Sequence, residues 1–106
     1  MLRFYLLADE APNPQPTALE RLPPAGELTE DSFAQLQHQR LVEGRLDYHT
    51  GFRWSSSAVQ AKLQLLLQQF PQVRPATDPG ATAEQQLLLI LLNASAQHTG
   101  VFALAG

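Results

Sequence analysis

Leu87-Leu88-Leu89-Ile90-Leu91-Leu92 is a run of six apolar side chains with no polar face, and its reading decides the fold. As a strand it would form the buried centre of a sheet, whereas as part of a helix it must be covered on more than one side. Six residues fall far short of the ~20 needed to cross a bilayer. The Leu-rich composition and the flanking Ala and Gln favour a helix. Thr82 supplies its N-cap, Glu84 sits in a first turn that favours acids, and the helix runs to about Gln97 with Gly100 as its stop. The sequence therefore predicts this helix as the most buried element of the chain.

With that run helical, the strands must come from elsewhere. Residues 101–104 (Val-Phe-Ala-Leu) read as a short closing strand. Their natural partner is the opening segment, where Leu2, Phe4 and Leu6 alternate with Arg3, Tyr5 and Leu7 in a period of two, with both faces at least partly covered. Ser55, Ser56 and Ser57 offer N-caps to a second helix, in which Val59, Leu63, Leu66, Leu67 and Phe70 recur at helical spacing until Pro71 ends it. A third helix follows the cap Thr29 over 30–42, with Phe33, Leu36 and Leu41 turned inward and Gly44 as its stop. Residues 71–80 form a loop. Residues 9–26 hold five prolines, which exclude a regular helix or a central strand. They read as an extended strap with at most a turn of helix at 17–22, anchored by Leu19 and Leu22. The expected class is α+β, three helices with a small antiparallel sheet formed by the N- and C-terminal strands, as a single domain over residues 1–106.

Composition then narrows the function. Seven basic against ten acidic residues, a net charge of −3, lack the basic excess that phosphate contacts require, so nucleic acid is not an expected partner. Without cysteine there is no disulfide, thiolate nucleophile or Cys-ligated metal. The opening apolar run reaches Asp9-Glu10 too soon for a signal-peptide core, so the chain is expected to be cytoplasmic, with no membrane partner. His38, His49 and His98 fall on three separate elements without ligand spacing, so no metal site or cofactor is expected. The serine run is explained by helix capping, and every glycine is isolated, so no phosphate-cradling loop exists. An enzyme is disfavoured.

One segment remains chemically rich. Residues 45–55 contain the only Trp, one of two Tyr, two Arg and a His. Read as extended chain, Tyr48, Phe52 and Trp54 share one face, and Arg45, Asp47, His49 and Arg53 share the other. The plain expectation is that the aromatics pack beneath the helix containing Val59, with Asp47 and Arg53 paired across a turn. The functional expectation uses the enrichment of Tyr, Trp and Arg at interface hot spots. On it Trp54 is buried and structural, while Glu43, Arg45, Asp47, Tyr48, His49 and Arg53 are the candidate partner-binding residues, and no residue is catalytic.

The pattern Gly26-Glu27-Leu28, Phe33, Leu36, then Leu46-Asp47-Tyr48 with Thr50, Arg53 and Trp54, then the helix of Val59, Leu63 and Leu66 and a closing apolar strand, resembles small bacterial α+β proteins of uncharacterised or toxin-immunity type. His49-Thr50-Gly51 stands where such proteins often carry a Gly-Asp-Thr turn. The resemblance implies a protein that binds and blocks a cognate toxin, without catalysis of its own. The competing expectation is an assembly subunit that homo-oligomerises through its Leu/Gln-rich helices, so both monomer and homodimer stay open.

Overall fold

The computed structural model describes residues 1–105. It orders them as β1 (Leu2–Leu7), α1 (Pro16–Leu19), β2 (Gly26–Leu28), α2 (Glu30–His38), β3 (Phe52–Trp54), α3 (Ser56–Gln69), α4 (Ala83–Ala96) and β4 (Gly100–Ala105). The run 87–92 lies inside α4. Thr82 caps that helix through a reciprocal box, its hydroxyl accepting from the Gln85 amide while the Gln85 side chain accepts from the Thr82 amide. Leu87, Leu88, Ile90 and Leu91 are buried, and only Leu92 reaches solvent appreciably.

The four strands form one antiparallel sheet in the order β2-β1-β4-β3. The terminal strands pair along their whole length, from Leu2 opposite Ala105 to Leu7 opposite Gly100. The expected α+β class and the pairing of the chain ends are therefore present. The turn of helix allowed in the strap is α1, the extended part of the 45–55 segment shortens to β3, and β2 is an edge strand beyond those expected. β2 escapes a sequence reading because it is three residues long and follows the proline segment, where Ala25 N–H donates to the Phe4 carbonyl and starts the pairing. Side chains alternate across the sheet, so Leu2, Phe4, Leu28, Trp54, Val101 and Ala103 join α2, α3 and α4 in one core.

α4 ends at Ala96 with Gln97 as its cap, as expected, but the glycines expected to stop α2 and α4 do not do so, and α2 ends short of residue 42. α2 ends at His38, and Arg40 takes a left-handed φ of 63°. The Arg40 amide bonds the Gln37 carbonyl and the Leu41 amide bonds the Leu36 carbonyl, which is a Schellman closure. Turning the chain here buries Leu41 and Val42 completely, a gain that outweighs the roughly 1–2 kcal/mol of a non-glycine left-handed residue. His98, at φ 57°, closes α4 in the same way, with Thr99 N–H on the Ala94 carbonyl. Gly44 and Gly100 stop neither helix. Gly100 is needed for strand packing instead, since a Cβ there would lie 2.2 Å from the Trp54 carbonyl oxygen.

The strap meets the outer face of the sheet at Arg3, Tyr5 and Leu104, which line a cavity with Pro16 and Leu19. Leu19 is buried there, whereas Leu22, expected as a second anchor, is 53% exposed. In α3 the inward stripe is Val59 and Leu66 with Leu63 and Phe70 partly covered, and Leu67 faces outward at 41% exposure.

Candidate functional site

The segment after α2 divides by what each side chain finds to touch. Only Phe52–Trp54 is strand; residues 44–45 and 48–50 are turns, so the expected alternation does not extend back to Tyr48. Gly51, at φ 73°, joins the two parts where a Cβ would press to 2.7 Å from the Ala103 carbonyl oxygen.

Three of the candidate residues or their neighbours are drawn into the body. Trp54 is 4% exposed and packs against Phe4 and Phe52. Its indole N–H donates to Glu43 Oε2 at 3.3 Å, and Lys62 lies 4.5 Å over its ring while bonding Glu43 Oε1 and the Leu41 carbonyl. Partial burial pushes the Glu43 carboxyl upward, but the hydrogen bond and charge of Lys62 outweigh it and hold the group below the ordinary glutamate range. Glu43 therefore ties the turn to α3. Arg53 does not pair with Asp47. Its guanidinium donates to the Ala8 carbonyl at 2.8 Å, the Asp9 carbonyl at 3.0 Å and Asn13 Oδ1 at 3.1 Å, so it fastens the strap to the sheet. Asp9 completes that fastening by accepting from Ser56 N–H at 2.7 Å and Ser56 Oγ at 2.5 Å, bonds that lower its carboxyl pKa.

The other four gather on one surface. Arg45, Asp47 and Tyr48, with Leu46, form one wall of a groove of about 380 Å³, and Glu30, Phe33, Ala34 and Gln37 of α2 form the other. Arg45, Asp47 and His49 are exposed, and the His49 Nε2 lies 3.4 Å from Glu30 Oε2. Their backbone is well supported. Gln37 donates from its side chain to the carbonyls of Glu43 at 3.1 Å and Leu46 at 2.8 Å, clamping both ends of the first turn. Asp47 Oδ1 accepts the His49 amide at 2.8 Å, fixing the second. Tyr48 stands edge-on to Phe33 with ring centroids 5.9 Å apart, and to His49 at 5.0 Å.

No family model, curated protein or solved structure matches the chain. The site is therefore read from its own geometry. It offers one cation, two carboxylates, an imidazole and a phenol on a braced surface beside a groove of mixed polar and apolar lining, which is a hydrogen-bonding platform. Sequence reasoning did not identify Gln37, Glu30 or Lys62. Glu30 carried a signal in its first-turn position near the following turns, whereas Gln37 and Lys62 depend on contacts that only the tertiary fold makes.

A second polar cluster lies at the start of α4. Glu84 is 7% exposed and accepts from Gln35 Nε2 at 3.2 Å and Gln39 Nε2 at 2.5 Å. Burial raises its pKa, but these amides, with the Thr82 cap and its own backbone amide, win and lower it. Its negative charge is thereby accommodated without a cation, helped by the N-terminal end of the helix dipole.

Proposed function

We propose that this chain is a small acidic protein-binding module, an immunity-type inhibitor that engages a cognate toxin in the cytoplasm through Arg45, Asp47, Tyr48 and His49. The observation that carries the reading is the contrast between exposed side chains and a fixed backbone in that segment. Arg45, Asp47 and His49 project to solvent from turns held by Gln37 and by the Asp47 side chain. Binding through such a surface orders little that is not already ordered, which lowers the entropic cost of association. Tyr48 adds an amphipathic ring at the groove wall, of the type enriched at hot spots. Glu30, Asp31 and Asp47 make the neighbourhood acidic, and with a net charge of −3 this favours encounter with a basic surface such as a nuclease cleft. The toxin as partner class comes from the resemblance of the sequence pattern to immunity-type proteins.

Co-expression with the product of the adjacent gene, followed by calorimetric titration of the purified pair, tests the reading. A 1:1 complex weakened at least about tenfold by Arg45→Ala supports it. Absence of any complex, or affinity unchanged by substitutions at Arg45 and Tyr48, overturns it.

A further inference from the structure

Tyr5 is 7% exposed, yet its hydroxyl has no hydrogen-bond partner among the described residues. A buried phenol ordinarily finds one. Two other unpartnered polar atoms, Gln39 Oε1 and Thr99 Oγ1, are sealed inside the protein. The Tyr5 hydroxyl is not sealed, so it opens on one of the two cavities that Tyr5 lines where the strap meets the body. The smaller, beside Leu19 and Glu20, has a volume of about 240 Å³. The larger, about 450 Å³, lies between residues 22–25 of the strap and the last turn of α4. Only the larger reaches the roughly 300–1,000 Å³ of small-molecule sites.

Its wall is composed as such sites are, mostly apolar with a few polar groups. Leu22, Pro23, Pro24 and Ala96 give the apolar surface. Besides Tyr5, the polar groups are the amides of Asn93 and Gln97. Asn93 spends its Nδ2 on a long 3.5 Å bond to the Ala25 carbonyl. No Asp, Glu, Lys or Arg lines the cavity, although the chain has seventeen of them. Leu22, 53% exposed, stands at the wall as apolar surface that an occupant would cover.

We infer that this cavity binds a small neutral molecule with an apolar body and one carbonyl oxygen, which accepts from the Tyr5 hydroxyl. The wall selects that chemistry. An ion would leave water for a lining without counter-charge, at a large desolvation cost. A peptide would need its backbone paired, and Pro23 and Pro24 have no N–H to offer it. A neutral ketone leaves nothing unpaired, since its single acceptor answers the phenol and its body covers the leucine and prolines. The cavity shares no residue with the groove beside Tyr48, so the inference stands or falls separately from the inhibitor reading.

Fluorescence titration of the full chain with propionyl-dimethylaminonaphthalene, a neutral naphthyl ketone whose emission shifts to the blue in apolar surroundings, is the experiment. Saturable 1:1 binding with a Kd of about 0.1 mM or tighter is expected. Tyr5→Phe removes only the unpartnered hydroxyl, so the fold should persist by circular dichroism while the ketone binds about fivefold more weakly or worse. Dimethylaminonaphthalene, which lacks the carbonyl, should bind Tyr5→Phe and wild type alike. Ala96→Phe, at an exposed position, fills the larger cavity and should abolish binding of both probes. Glu20→Phe, at the smaller cavity, and Arg45→Ala should leave binding intact. Absence of saturable binding by either probe overturns the inference. So does a ketone affinity unchanged in Tyr5→Phe, binding that survives Ala96→Phe, or binding lost in Glu20→Phe.

Discussion

Trp54 and Tyr48 lie on the same short segment, each with an acid and a cationic or ionisable base close by, yet the fold uses them in opposite ways. Around Trp54 every polar group is answered from within, because the indole and Lys62 share the two oxygens of Glu43. Around Tyr48 the backbone is answered from within, by Gln37 and Asp47, while the side chain of Arg45 is left at the surface and His49 meets only the equally exposed Glu30. Residue type does not separate a structural cluster from an available one. The separation comes from whether the fold supplies the side chain's partner.

The sharpest break of this comparison is at its buried end. Trp54→Ala removes a ring packed on Phe4 and Phe52 and leaves Glu43 and Lys62 around a void. Loss of about 3–5 kcal/mol is expected in a denaturant titration. A loss comparable to that of a surface substitution would mean that Trp54 is not a core residue.

Glu43→Gln keeps an acceptor for the indole and removes the charge that neutralises Lys62. An uncompensated buried cation is costly, but Glu43 is one-third exposed, so about 1–3 kcal/mol at neutral pH is a reasonable size after screening. The sign with pH follows from its lowered pKa. The stabilisation is present above the unfolded carboxyl's value near about 4.3 and fades as pH falls through the lower folded value. Wild type and variant should therefore converge in stability on acidification. A gap that stays constant into strong acid would show that Lys62 does not hold the charge of Glu43.

Arg53→Ala tests the strap. Removing three hydrogen bonds from a partly exposed guanidinium should cost about 1–2 kcal/mol and open residues 9–15 to protease, with cleavage rate as the readout. From sequence alone, replacing Arg53 should weaken partner binding and leave the thermal midpoint nearly unchanged. The contacts to Ala8, Asp9 and Asn13 reverse the order, and stability is where its effect should appear.

These cases mark how far sequence carries. The alternation in Leu2–Leu7, the caps Thr29 and Thr82, the serine run that supplies Ser55 as the cap of α3 and the Leu run of α4 are local signals, legible because propensity and burial agree there. The ends of α3 and α4 were legible, but the residues that turn the chain after α2 and α4 were not. Pro71 ended α3 as expected, but Arg40 and His98 adopt left-handed conformations because tertiary burial of Leu41 and Val42, and the start of β4, require the turn. In the candidate segment, residues adjacent along the chain, Arg45, Asp47, Tyr48 and His49, also lie on one surface. Adjacency did not separate them from Glu43 and Arg53, whose partners Lys62 and Ala8–Asn13 are distant in sequence.

The open end of the segment should respond least in folding. Tyr48→Ala loses one edge-on contact with Phe33 and leaves the Gln37 clamp and the Asp47 turn in place, so a loss of about 0.5–1.5 kcal/mol is expected. Tyr48→Phe keeps the ring and removes only the hydroxyl, and its stability should match wild type. The two variants together divide the roles of the side chain. If Tyr48 serves recognition through its hydroxyl, Tyr48→Phe weakens the complex with the proposed partner while the thermal midpoint stays fixed. If it serves only as a prop for the rim, Tyr48→Phe binds like wild type and Tyr48→Ala weakens binding in step with its loss of stability. A large collapse of Tyr48→Ala, on the scale of Trp54→Ala, would erase the distinction between the two ends and place Tyr48 in the core.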